Sequence, residues 1–157
     1  MTAITAESTY ETERNKPMPS RNHGLVQANL VFELKLNYRN TFSIASELTL
    51  DLADWECVPD IVIYPKMEID MKNDVISMTE PPLCAIEILL PTQSLSDLTS
   101  KADQYFKYGV KSCWIVLPSL LSIYVFSSPD DYTVFKSTDT LTDKQLDISF
   151  PLKDVFK

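Results

Sequence analysis

Apolar positions recur along this chain with two different spacings. From His23 to Arg39 the run HGLVQANLVFELKLNYR contains no proline and places Leu25, Asn29, Phe32 and Leu36 on one side, which predicts a helix entered from the turn PMPSRN. TFSIASELTLDL (41–52) alternates and is rich in β-branched residues, and VPDIVIYP (58–65) and LCAIEILL (83–90) are continuous apolar runs of the kind found inside a sheet. The polar stretch from Lys66 to Pro82 is an excursion between the last two. Pro91 stops the third strand, and Ser94 followed three residues later by Asp97 has the outline of a helix N-cap. That second helix runs to about Tyr108, with Gly109 where helices commonly end. SCWIVLP and LSIYVFSS, parted at Pro118 and Ser119, predict a strand pair, and YTVFKS an edge strand. Helix, three strands, helix, then more strands is the order of an α/β or α+β sheet sandwiched by helices.

Two carboxylates interrupt the most apolar runs: Asp60 in VPDIVIYP and Glu87 in LCAIEILL. Ionised carboxylates are costly to bury unless paired or bound to a metal, so both require a partner. If their strands are neighbours, the two side chains converge at one edge of the sheet. A divalent cation is the natural partner, since magnesium binds through one or two carboxylates while keeping several waters.

Composition narrows the class. At 157 residues the chain suits one domain spanning 1–157, with residues 1–16 a poorly ordered or peripheral segment. Fourteen basic against 22 acidic residues give a net charge of −8, which argues against a surface built to coat phosphates, although a bound cation reverses the local field. Two glycines leave no material for a Gly-rich phosphate cradle, which closes the P-loop and dinucleotide-fingerprint readings. Cys57, Cys84 and Cys113 are odd in number and far apart, as free thiols of a reducing compartment are. The first twenty residues have neither an apolar export core nor an Arg-rich amphipathic face, and Trp114 to Phe126 is too short and too broken to cross a bilayer. A cytoplasmic location and no membrane association are expected.

PD, an intervening stretch, then a glutamate in a hydrophobic strand resembles the PD-(D/E)xK nuclease superfamily with its restriction-endonuclease-like fold. More narrowly, PMPSRNHG, VPDIVI, PPLCAIEILLPTQSLSDLTSKADQYFKYGVKSCWIVLP and the closing LDISFPLKDVF, in that order, resemble the Uma family of proposed endonucleases. The likeness runs from about Pro17 to the C-terminus. It implies a central mixed sheet flanked by helices, with additional C-terminal strands, and a metal-dependent endonuclease acting on nucleic acid, with DNA the expected substrate. Asp60, Glu87 and the backbone carbonyl of Ile88 would bind magnesium, or manganese in its place, and Glu47 would assist through water. The superfamily's lysine position, two residues after the acid, is Leu89 here, and the likeness offers Lys101 on the following helix instead. At about 100° per residue Lys101 borders the stripe Leu95, Leu98, Ala102 and Phe106, from which a lysine can snorkel to a strand edge. The family's Leu-Ser-Pro-Ser segment is replaced by Leu89, Leu90, Pro91 and Thr92, one hydroxyl fewer. A nuclease that cuts both strands often works as a two-fold dimer.

Each of these residues also has a plainer reading. Asp60 after Pro59 can be a turn aspartate, Glu87 can face solvent, and Lys101 can pair with Asp97 one helical turn away. His23, the only histidine, excludes a multi-histidine metal centre and suits a structural or capping role. Glu33 on the first helix is a weaker candidate for the acidic cluster, and Tyr105 and Tyr108 fit helix packing. A nuclease-fold module that binds or assembles without cleaving is the alternative function, favoured by the net charge, the lack of a basic run and Leu89. Carboxylates converging without a cation repel, so Asp60→Asn is expected to raise the stability of the metal-free protein or leave it unchanged.

Overall fold

Strands that are apolar on both faces can only be covered on both faces, and the central sheet obeys that rule. The computed structural model describes residues 9–14 and 16–157. Its six-stranded sheet has the spatial order β1 (Phe42–Ser46), β4 (Ile61–Pro65), β6 (Cys84–Ile88), β7 (Ser112–Leu117), β8 (Ser122–Ser128), β9 (Asp131–Lys136). β6 and β7 are parallel and joined by helix α3 (Leu95–Lys107), while the other neighbours are antiparallel, so the sheet is mixed. Every residue of β6 and β7 is buried, whereas β9 is mostly exposed, as its edge position requires.

Helix α2 (Arg21–Tyr38) covers one face of this sheet. Val26, Leu30 and Leu34 meet Ile61, Ile63, Ile86 and Trp114 there, together with the C-terminal residues Ile148, Phe150 and Val155. Helix α3 covers the other face, where Leu98, Ala102 and Tyr105 pack on Val62, Ala85, Cys113 and Ile115. Two smaller sheets flank the main one. β2 (Thr49–Leu52) lies between β3 (Trp55–Cys57) and β5 (Ser77–Met78), and β10 (Thr140–Asp143) pairs with β11 (Ile148–Pro151).

Several expectations are refined here. The 41–52 run is two strands, because Glu47 takes a left-handed conformation (φ 56°) that breaks the pleat. The Leu25, Asn29, Phe32, Leu36 stripe points outward: Leu25, Phe32 and Leu36 are exposed, and the buried stripe is His23, Val26, Leu30 and Leu34. α2 is apolar on both sides, so periodicity identifies the helix without choosing its face. The N-cap predicted for α3 is present as a full capping box between Ser94 and Asp97, and Gly109 follows the helix with φ 99°. All three cysteines are buried free thiols. Among the described residues no helix is long and apolar enough to cross a membrane. Of the segment expected to be poorly ordered or peripheral, residues 1–8 and 15 lie outside the described residues. Thr9–Arg14 form helix α1, and Lys16 is buried, because its ammonium reaches carboxylates at the end of the main sheet.

Candidate active site

The antiparallel register of β4 and β6 pairs Ile61 with Ile86 and Val62 with Ala85. Carried one residue further, it sets Asp60 opposite Glu87, and opposed residues in an antiparallel pair project from the same face. On the other side, β1 pairs Ser46 with Ile61, and the Glu47 amide donates to the Asp60 carbonyl at 3.1 Å. Glu47, Asp60 and Glu87 therefore form a row across the ends of three adjacent strands.

Asp60 is 1% exposed and is held from three directions. Its Oδ2 accepts from the Ile88 amide at 2.7 Å and lies 3.0 Å from His23 Nε2. Its Oδ1 lies 2.6 Å from Lys16 Nζ, which also donates to Glu47 Oε2 at 2.7 Å. Burial alone would raise the Asp60 carboxyl, but the hydrogen bond from His23 and the charge of Lys16 outweigh it and hold it below its ordinary range. For Lys16 burial works against the ammonium, and the attraction and hydrogen bonds of Asp60 and Glu47 overcome it, so its pKa is raised. Gln27, one turn beyond His23 on α2, completes this side by donating to the Asp60 carbonyl at 3.0 Å and to Glu47 Oε1 at 3.3 Å.

Glu87 is 3% exposed and faces α3. Its Oε1 accepts from the Tyr105 hydroxyl at 2.6 Å and from Lys101 Nζ at 3.2 Å. Burial, reinforced by the Asp60 charge, raises the Glu87 carboxyl even though Lys101 and Tyr105 oppose the rise. Lys101 turns inward to Glu87, while Asp97, its alternative partner, serves the helix cap, where it accepts from the Ser94 amide at 3.1 Å. Glu87 thus faces a partner rather than solvent, and Asp60 is buried in an ion pair rather than standing in an open turn.

The structure departs from the sequence expectations at three places, and Glu47, expected to act through water, is not one of them. Among the described residues no three His, Cys, Asp or Glu side chains form a group able to hold a metal, so Glu47 is not a direct ligand beside Asp60 and Glu87. Lys16 stands between it and Asp60. Glu33 lies on α2 ten residues beyond His23, about 15 Å along the helix axis, and does not join the cluster. Tyr105 does more than pack, because it binds Glu87, whereas Tyr108 stacks on Trp55 and donates to Asp54 away from the site. Finally, each carboxylate of the presumed repelling pair already has an ammonium partner, which removes the premise that the charge of Asp60 destabilises the metal-free protein. The donor set still suits a largely hydrated magnesium ion, which needs only one or two carboxylates, and does not suit an ion that demands three side-chain ligands. A polar cleft of about 570 Å³ lies beside the site, lined by Lys16 and Lys101, the two lysines paired with Asp60 and Glu87, and by Glu11, Asp97, Gln93 and Ser100.

Lys16, Gln27 and Tyr105 carried no signal as site residues. A lone lysine before a Pro-rich turn and a glutamine on a mixed helix face look like surface positions, and only the packing of α2 and the N-terminal segment against the strand ends brings them in.

A mixed sheet with opposed buried carboxylates at its end and a lysine supplied by the next helix defines a restriction-endonuclease-like domain. The Uma2 family model, described as "Putative restriction endonuclease", matches residues 11–152, and the chain belongs to that family. A crystal structure described as a putative nuclease belonging to DUF820, from Anabaena variabilis, has the same fold, with a TM-score of 0.76 over 90% of this chain and 83% of that one at 22% identity. No curated protein matches the chain.

Proposed function

We propose that this protein is a magnesium-dependent endonuclease that hydrolyses phosphodiester bonds in DNA. The observation that carries the reading is the register that sets Asp60 against Glu87, both buried, with Lys101 on Glu87. Asp60, Glu87 and the Ile88 carbonyl would hold the ion, with manganese as a substitute and Glu47 acting through water. When bound, the ion would supply positive charge to the attacking and leaving oxygens. The chain's own residues orient and neutralise. The Ile88 amide and His23 fix the Asp60 carboxylate, Tyr105 fixes Glu87, and Lys101, partly exposed to the cleft, orients water and offsets charge on the phosphorane. The buried free thiols suit a cytoplasmic setting. A two-fold dimer is the assembly suited to cutting both strands of a duplex.

The test is cleavage of supercoiled, linear and single-stranded DNA and of RNA, with magnesium and with manganese. Lys101→Ala should lower cleavage about 100-fold or more while the protein still folds and binds metal, and Lys107→Ala, further along the same helix, should match wild type. Equal cleavage by wild type and Lys101→Ala would overturn the role of Lys101. A non-cleaving binding module is the second reading, favoured because Asp60 and Glu87 are each already paired with a lysine. Absence of cleavage of all these substrates, whether or not metal binds, would favour it.

A further inference from the structure

The oxygen of Asp60 that remains available to a cation already carries one. Oδ2 is engaged by the Ile88 amide and the His23 ring, both fixed by the strand and helix that bear them. Oδ1 faces Lys16 Nζ at 2.6 Å, and the same ammonium bridges to Glu47 Oε2 at 2.7 Å. The Lys16 side chain is only 8% exposed, so this is an enclosed counter-ion and not a surface pair. It is delivered by the short segment that follows helix α1, not by the sheet or by α3.

We propose that Lys16 is a built-in competitor for the divalent cation: its ammonium fills the place between Asp60 and Glu47, and metal uptake requires Lys16 to leave Asp60 Oδ1. The inference rests on the metal reading given above and deepens it. Two cations on one carboxylate oxygen repel strongly in a buried setting, so the ion and the Lys16 contact exclude each other. The ammonium has somewhere to go, because Lys16 also lines the cleft that contains Lys101. Moved there, it adds a second positive charge where a phosphate would lie. The metal-free protein keeps Asp60 and Glu47 bridged by its own N-terminal segment, and cation affinity is set by how firmly that segment is seated.

Calorimetric titration of manganese into the full chain tests this, with wild type, Lys16→Gln, Lys16→Met and Asp60→Asn compared. Lys16→Gln keeps a hydrogen-bond donor near Asp60 and Glu47 while removing the charge. Lys16→Gln and Lys16→Met should bind manganese at least about tenfold more tightly than wild type and show a larger manganese-induced rise in melting temperature, and Asp60→Asn should abolish binding. Hydrogen exchange on the wild type supplies a readout that needs no variant to fold: saturating manganese should raise exchange at the amides of residues 9–16. Equal affinity in wild type and the Lys16 variants, with binding lost in Asp60→Asn, would overturn the competition and leave the metal site standing. Unchanged exchange at 9–16 in metal-saturated wild type would overturn it as well. Absence of binding in the wild type and in both Lys16 variants would overturn the metal reading and this inference together.

Discussion

Tyr105→Phe removes one oxygen from the protein, the hydroxyl that binds Glu87 and also lies against the Cys57 thiol. The ring is fully buried and packs edge-on against Trp55 with centroids 5.0 Å apart, a contact that phenylalanine keeps. What disappears is the hydroxyl 2.6 Å from Glu87 Oε1, leaving that oxygen with Lys101 at 3.2 Å. A hydrogen bond to a buried ionised group contributes about 1.5–3 kcal/mol, and one to a neutral group about 0.5–1.5 kcal/mol. The pH dependence follows from the direction in which Glu87 is displaced. Its carboxyl titrates above the ordinary 4.5 in the fold, chiefly through burial, so ionising it as pH rises above that value costs stability, and the Tyr105 bond offsets part of the cost. Urea unfolding should therefore show a loss of about 1.5–3 kcal/mol for Tyr105→Phe once the pH exceeds the raised folded pKa of Glu87, shrinking toward the neutral-bond value below the ordinary 4.5, where Glu87 is protonated in both states. The same variant should lift the Glu87 carboxyl further, observable by carbon-detected NMR titration. An equal loss at both pH values would show that Tyr105 acts through packing and would refute the reasoning.

Asp60→Asn should destabilise the metal-free protein by about 3–5 kcal/mol at neutral pH, because it leaves Lys16 buried with half its counter-charge. The Asp60 carboxyl is held below its ordinary 3.8, so this contribution is full above that value and lost as pH falls through the folded pKa, and wild type and variant should converge in acid; a more stable variant at neutral pH would contradict the ion-pair account. Asp143→Asn should cost at least about 2 kcal/mol and perturb Trp114 fluorescence, since Asp143 accepts from Trp114 Nε1, the Ser112 hydroxyl and the amides of Gln145 and Leu146, and an amide nitrogen cannot replace an acceptor there. Gly109→Ala should cost roughly 1 kcal/mol in thermal unfolding, all of it from the positive φ, because the added Cβ meets Pro81 only at an ordinary 3.5 Å.

Local pattern alone determined a good part of this protein. Residue periodicity located both long helices and the strands of the main sheet, the Ser94 to Asp97 spacing placed the cap of α3, and apolar runs broken by Asp60 and Glu87 marked the two carboxylates as needing partners. These features depend on residues a few positions apart, so the sequence displays them directly. β2 lay inside the 41–52 run, but the break at Glu47 and strands β3, β5 and β10 were not legible, because these strands are only two to four residues long and lack a sustained alternation.

Tertiary structure decided the rest. α2 carries two apolar stripes of equal spacing, and the sheet it lies on, together with the C-terminal strands, selected the stripe that is buried. Asp60 and Glu87 are partners in place because strand register aligned them, but the ammonium on Asp60 comes from Lys16, whose bridge to Glu47 spans 31 positions in sequence, and the hydroxyl on Glu87 comes from one tyrosine among seven. A periodic pattern fixes which way a side chain points from its own element. Which charge it meets depends on how separate elements pack, and that is a property of the whole fold.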